Sequence, residues 1–443
     1  MTNAHSHSDV VLDWNDRTIE AIRTDRTGNA GAGYVLAVVN ASMYDAVNGL
    51  NARRPQEPHY EPYAVNPDDA PASGSRPLAA AAAAHEALST FYSDSESVQS
   101  DVDDAFEGAR DTIAGDGSGG NPTRNTDHGI EWGRTAARAV IAAREDDGFD
   151  DHDGEPYQAC EDREGPGCYR DGPNWGSAHL ADLDPWLIDD IEAFEPPGPP
   201  NLDCERYADG LEEVKRLGDA TADRPDEQVA VAEFWRGSGG TARPPGRWIL
   251  IAQELARAQD TTITEDARLF GLLGMAMMDA GIVTWHGKYE NGFWRPRTAI
   301  HHADEDGNPR TEADPEWDSL ALGGSPEYPS GLSAFGGAAT RILQETFGDD
   351  VSFELTVRAS TDTGDGYELE ERTRSYDSLN EALDESSRSR VILGNHFPFT
   401  MEDSAAFADS LADWILENGL QPVDATPPGN ARAGPPTGRG DDD

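Results

Sequence analysis

The stretch DARLFGLLGMAMMDAGIVTWHGKY, residues 266–289, places apolar side chains at i, i+3, i+4 and i+7 along its whole length, the period of a helix. Four further segments repeat it: YVLAVVNASMYDAVNGL (34–50), RPLAAAAAAHEALSTFY (76–92), GIEWGRTAARAVIAAR (129–144) and RWILIAQELARA (247–258). Alternating strand patterns are scarce, so the expected fold class is all-α. Ser93 and Ser95, and the run Thr264-Glu265-Asp266, stand where helix starts are expected.

A chain of 443 residues has ample length for a large core. Between residues 145 and 205 the helical pattern gives way to Asp, Gly and Pro (DDHDGEP, REGPGCYRDGPNWG, FEPPGPPN), which predicts a long irregular crossing within one helical domain spanning 11–420. Residues 1–10 are expected to be a flexible N-terminus. The end, QPVDATPPGNARAGPPTGRGDDD (421–443), offers almost nothing apolar to bury and is expected to be a disordered acidic tail.

Acidic residues number 84 against 34 basic ones, a net charge of -50, which sets the chain against nucleic acid and anionic membranes as partners. The acids are dispersed, so the charge reads as a solvated surface adapted to high salt, where screening removes self-repulsion. No apolar run is expected to reach the roughly 20 residues of a membrane span, and MTNAHSHSDVVLDW has neither a basic nor an apolar leader region. A cytoplasmic location follows as the expectation. Cys160, Cys168 and Cys204 are too few for a disulfide framework and are read as free thiols, although Cys160 and Cys168 flank a Gly/Pro loop that a bridge could close.

Against this acidic background, WHGKYENGFWRPRTAIHH (285–302) is a basic island. Lys288 closes the most apolar helix and Arg295 lies between Trp294 and Pro296, so both are expected to point inward and to need an anionic partner. EYPSGLSAF (327–335) supplies a second element: Ser330 stands at a helix start and Gly331 lets backbone approach a ligand, leaving free N–H groups at the positive dipole end. SSRSRVILGNHFPF (386–399) supplies the third, with Arg390 near a helix end and His396 past the Gly394 stop.

Lys288, six residues, Arg295-Pro296; Pro329-Ser330-Gly331; and Ser389-Arg390, five residues, His396 together resemble the three-part signature of vanadium-dependent haloperoxidases and type 2 phosphatidic acid phosphatases. VVLDWN, SMYDAVNGL, EVKRLGD, PPGRW and DAGIVTWHGKYENGFWRPRTAI extend the likeness, to the soluble haloperoxidase branch, over about residues 10–420. The resemblance implies a fold of two four-helix bundles and a homodimer. It also implies vanadate held by Lys288, Arg295, Ser330, Gly331, Arg390 and His396, with His396 the axial ligand to vanadium and Asp279 orienting Arg390. Phosphate would fit the same site.

Two positions depart from that pattern. The family follows Pro-Ser-Gly with a histidine that transfers protons, and here the residue is Leu332. It either begins a core stripe with Phe335, Ala339, Ile342 and Leu343 or faces the ligand. Thr400 stands where many members carry an aspartate that orients the axial histidine, leaving Glu402 or Asp403 as substitutes; His286, His301 and His302 are candidates for the missing acid, each read first as structural. The implied activity is oxidation of a halide or organic substrate with hydrogen peroxide, weakened by Leu332. The alternatives are a soluble acid phosphatase working through a phosphohistidine at His396, and an oxyanion-binding protein without turnover.

Overall fold

Every periodic segment is helical, to within one residue at its end, in the computed structural model, which describes residues 10–115, 122–149, 165–170, 176–363 and 366–423. Thirteen α-helices occur among the described residues: α1 (Val10–Asp25), α2 (Asn29–Ala52), α3 (Arg76–Phe91), α4 (Glu96–Gly115), α5 (Pro122–Ala143), α6 (Glu205–Gly218), α7 (Asp226–Trp235), α8 (Arg243–Gln259), α9 (Ile263–Asn291), α10 (Pro296–His301), α11 (Gly331–Phe347), α12 (Leu379–Ile392) and α13 (Pro398–Asn418). The class is all-α. Helix α9 starts before Thr264: Thr262 caps it, accepting the Glu265 N–H while the Glu265 carboxylate takes the Thr262 N–H at 2.8 Å, a reciprocal pair that satisfies two orphan donors.

Helix α9 is the axis of the molecule, with α2 and α11 packed along it. Its length and composition are those of a membrane-crossing segment, contrary to the expectation from the sequence, yet 94% of its apolar window is buried against protein. Those side chains meet the main core, which draws on α1, α2, α3, α8, α9 and α11. A second, smaller apolar cluster gathers Trp294, Tyr328, Leu332, Val391, Phe397 and Phe399 with Tyr207 and Leu211 of α6. Each large side chain buried there contributes about 1.5–3 kcal/mol, and the cluster glues together the three segments singled out above.

Between α11 and α12 the chain forms an antiparallel hairpin, β1 (Phe353–Asp362) and β2 (Tyr367–Tyr376), running in register from Phe353 opposite Tyr376 to Asp362 opposite Tyr367. Residues 421–423, assigned to the tail, join the body instead: Val423 N–H donates to His59 O at 3.3 Å, and Glu61 N–H to Gln421 O at 2.8 Å. The remainder of the tail and residues 1–9 lie outside the described residues, as does Cys160. Cys204 is a free thiol, and Cys168, expected to be one, is disulfide-bonded.

Candidate active site

Lys288 sits on the last turn of α9, 3% exposed, and donates from Nζ to the carbonyls of Pro326 at 2.7 Å and Glu327 at 3.0 Å. Arg295, at the N-terminus of α10, donates from Nε to Ser325 O at 2.9 Å and from Nη1 to Asn395 O at 2.8 Å. Its seat is cut to fit: a Cβ on Gly323 would lie 2.3 Å from the Arg295 Cζ. Arg390, in the last turn of α12, donates one hydrogen bond, from Nη1 to Arg236 O at 3.1 Å. Neither Lys288 nor Arg390 meets a carboxylate among the described residues. Burial pulls Lys288 well below its ordinary pKa and Arg390 down to about 9, neighbouring arginines adding to both shifts.

Ser330 caps α11 by position only. Its backbone N–H donates to Ser404 Oγ at 2.8 Å, while its own hydroxyl is buried with no partner. Such an orphan is costly unless a ligand satisfies it. Gly331 follows because a Cβ there would stand 2.8 Å from the Trp285 ring; the glycine lets α9 and α11 close on each other beside the site.

His396 is 6% exposed and lies between opposite charges, with Nδ1 2.8 Å from Glu327 Oε1 and Nε2 2.9 Å from Arg295 Nη1. The hydrogen-bond network assigns the proton to Nδ1 and turns the Nε2 lone pair toward the cations. Burial and then Arg295, Lys288 and Arg390 hold the imidazole well below its ordinary pKa, so it stays neutral. Glu327, wholly buried, also accepts the Phe397 N–H at 3.0 Å and the Thr400 hydroxyl at 2.8 Å. Burial pushes its carboxyl up, opposed by Arg295, the Phe397 N–H and Lys288.

Glu327 escaped the sequence reading, and it takes the place proposed there for Glu402 or Asp403. Those two acids bind Arg206, and Asp403 also accepts the Tyr328 hydroxyl at 3.2 Å. Asp279 does not orient Arg390. Its carboxylate accepts the backbone N–H groups of Trp186 at 2.6 Å, Leu187 at 2.8 Å and Ile188 at 3.2 Å, pinning the loop before α6 onto α9. Burial raises it to about 7 despite those three donors.

Leu332 joins the small cluster with Tyr328 and Phe397, apart from Phe335, Ala339, Ile342 and Leu343 in the main core. It therefore packs with the apolar cluster that joins the three segments and not with the main core stripe. The three histidines that could have replaced the missing acid are engaged elsewhere: His286 with Glu195 at 3.1 Å, His301 with Trp317 O at 2.6 Å and His302 with Glu305 at 2.9 Å.

Buried cations from α9, α10 and α12 thus gather about the neutral imidazole of His396, and the buried serine hydroxyl at the start of α11 has no partner. Residues 268–424, which contain all of them, match the VCPO second helical-bundle domain. The chain is 28% identical over 273 residues to the vanadium chloroperoxidase of Curvularia inaequalis, an alignment covering 49% of this chain and 44% of that protein; it thus spans under half the length of this curated relative. Among solved structures, the first bacterial vanadium-dependent iodoperoxidase superposes with a TM-score of 0.70 at 23% identity, covering 94% of this chain and 97% of the other. An apo-type bacterial vanadium-dependent chloroperoxidase gives 0.62 at 18% identity, covering 87% and 94%. Residues 268–424 thus match the second helical-bundle domain of the vanadium chloroperoxidase family, and the chain as a whole has the vanadium haloperoxidase fold.

Proposed function

We propose that this protein is a vanadium-dependent peroxidase acting on a halide or a small organic substrate, with a cage formed by Lys288, Arg295, Ser330, Gly331, Arg390 and His396. The observation that carries the proposal is the gathering of three buried cations, Lys288, Arg295 and Arg390, about the buried His396, with one buried carboxylate, Glu327, while the buried Ser330 hydroxyl has no partner. Three positive charges against one negative leave two to be neutralised, which suits a tetrahedral dianion such as vanadate, or phosphate in its place.

Each residue brings a distinct property. The forks of Arg295 and Arg390 match tetrahedral oxyanions, and Lys288 adds a compact point charge. Ser330 Oγ–H and the Gly331 N–H, at the positive end of α11, donate to the same group. His396 would hold the metal through its neutral Nε2, and Glu327 fixes its ring and tautomer. Vanadate, when bound, supplies the Lewis-acidic centre at which hydrogen peroxide is activated. Leu332 supplies no proton, so the chain binds as its relatives do and turns over more slowly.

The test is peroxide-dependent oxidation of iodide, bromide and an organic sulfide in high salt, with and without vanadate. Vanadate-dependent turnover is expected and Leu332→His should raise it by about 10²-fold or more, the usual size of general acid–base help, with vanadate affinity unchanged. Tight vanadate binding with no turnover in either form would leave an oxyanion-binding protein. A phosphohistidine trapped at His396 would make it a phosphatase.

A further inference from the structure

Another buried cation is not among the cage residues. Arg247, on the second turn of α8, is 1% exposed and among the largest fully buried side chains of the protein. One bond holds it, from Nη1 to Trp235 O at 2.6 Å. Both Nε and Nη2 are buried with no partner. These two nitrogens form one edge of the guanidinium, and their N–H bonds point the same way, the fork that grips a single acceptor.

Among the described residues no carboxylate hydrogen-bonds this edge, and the Glu385 carboxylate is taken by Trp235 Nε1 at 2.9 Å, the Tyr376 hydroxyl and Arg374. Among the charged groups that weigh most on Arg247 are Arg390, Arg23 and Arg243, and Tyr376 is a phenol that burial keeps neutral. Burial and Arg390 together pull Arg247 down to about 9. The start of α8 adds its positive dipole end nearby. A buried guanidinium so placed is heavily penalised unless an anion accompanies it.

We propose that the Nε/Nη2 edge of Arg247 is an anion site separate from the cage, occupied by one halide ion. A halide fits the donors better than an oxyanion does. It accepts from both N–H groups without leaving other oxygens unsatisfied, and the flank of the site is aromatic, the Trp235 ring lying 5.4 Å from the guanidinium carbon and 6.4 Å from Trp248. Water would satisfy the donors and leave the charge. Because Arg390 of the cage is the cation that weighs most on Arg247, the site is tested with no vanadate present.

The test uses vanadate-free full-length protein. Crystals soaked in sodium bromide and measured at the bromine edge should show an anomalous peak in hydrogen-bond contact with Arg247 Nε and Nη2, absent from Arg247→Met crystals. In solution, the wild type should melt higher in sodium chloride than in sodium gluconate at equal ionic strength, a difference that Arg247→Met abolishes while gaining stability in gluconate. Bromide found elsewhere but not at this edge, or a chloride-specific shift unchanged in Arg247→Met, overturns the proposal. Should the variant fail to fold, the wild-type soak decides alone. Since no vanadate is present, the outcome is independent of whether the enzyme turns over.

Discussion

Arg144 and Arg390 are both buried arginines, and their surroundings are opposites. Arg144 pairs with Asp147 at 2.7 Å, donates to Pro185 O at 3.0 Å and Asp184 O at 2.5 Å, and stacks over Trp186 at 4.3 Å. Although burial pulls its pKa down, Tyr63 and Asp147 leave it above the ordinary value. Arg390 has one carbonyl partner and falls to about 9. Arg144 is closed by its own chain, whereas Arg390 is left open, which suits the ligand-binding role proposed for it. The same distinction separates Ser330, whose hydroxyl is idle, from Ser404, whose hydroxyl donates to Thr400 O at 2.5 Å and accepts the Ser330 N–H.

The contrast predicts unequal responses to the same substitution. Arg144→Met strands Asp147 in the interior and should destabilise the protein by about 3–5 kcal/mol, measured by urea unfolding. Arg390→Met removes an uncompensated charge, so the ligand-free protein should be as stable or more so. Vanadate binding should weaken by about 1.5–3 kcal/mol, the scale of a hydrogen bond to a charged group, read by calorimetry. Equal destabilisation by both would break the comparison.

Glu327→Gln tests the support of His396. Losing a carboxylate behind a metal-binding imidazole should weaken vanadate affinity about 10–100-fold, with the fold retained because Gln still accepts from Phe397 or Thr400. The smallest effect expected is a pH slope. Asp279 is raised from 3.8 to about 7, so the stability owed to its protonated form is complete below about 3.8 and is lost as the pH climbs through 7. In Asp279→Asn, melting temperature should vary less with pH over that window than in the wild type.

The helices were legible because their apolar period is unbroken over many residues, as in α9. The hairpin was missed although β1 (FELTVRASTD) alternates buried and exposed, because its partner β2 (YELEERTRSY) is exposed almost throughout and has no apolar alternation to pair with it. At the site, Lys288, Arg295, Ser330, Arg390 and His396 could be singled out from spacing within short segments. Glu327 could not: its partner His396 is 69 residues away, and a glutamate before Tyr-Pro carries no mark of what it will face. Asp279 failed for the same reason in reverse. Resemblance assigned it a partner, whereas the contacts that bind it, residues 186–188, lie in a loop with no readable pattern.

Glu327 touches two of the three segments at once, its carbonyl receiving the Lys288 ammonium and its carboxylate holding the His396 ring. The segments are therefore not interchangeable cassettes. A chimera that imports the Arg390–His396 stretch from a relative with its own aspartate after the histidine would set two carboxylates around one imidazole. One that imports the Pro-Ser-Gly turn without Glu327 would leave the imidazole with none. An exchange with such relatives should keep residue 327 and the 396–400 stretch from the same parent.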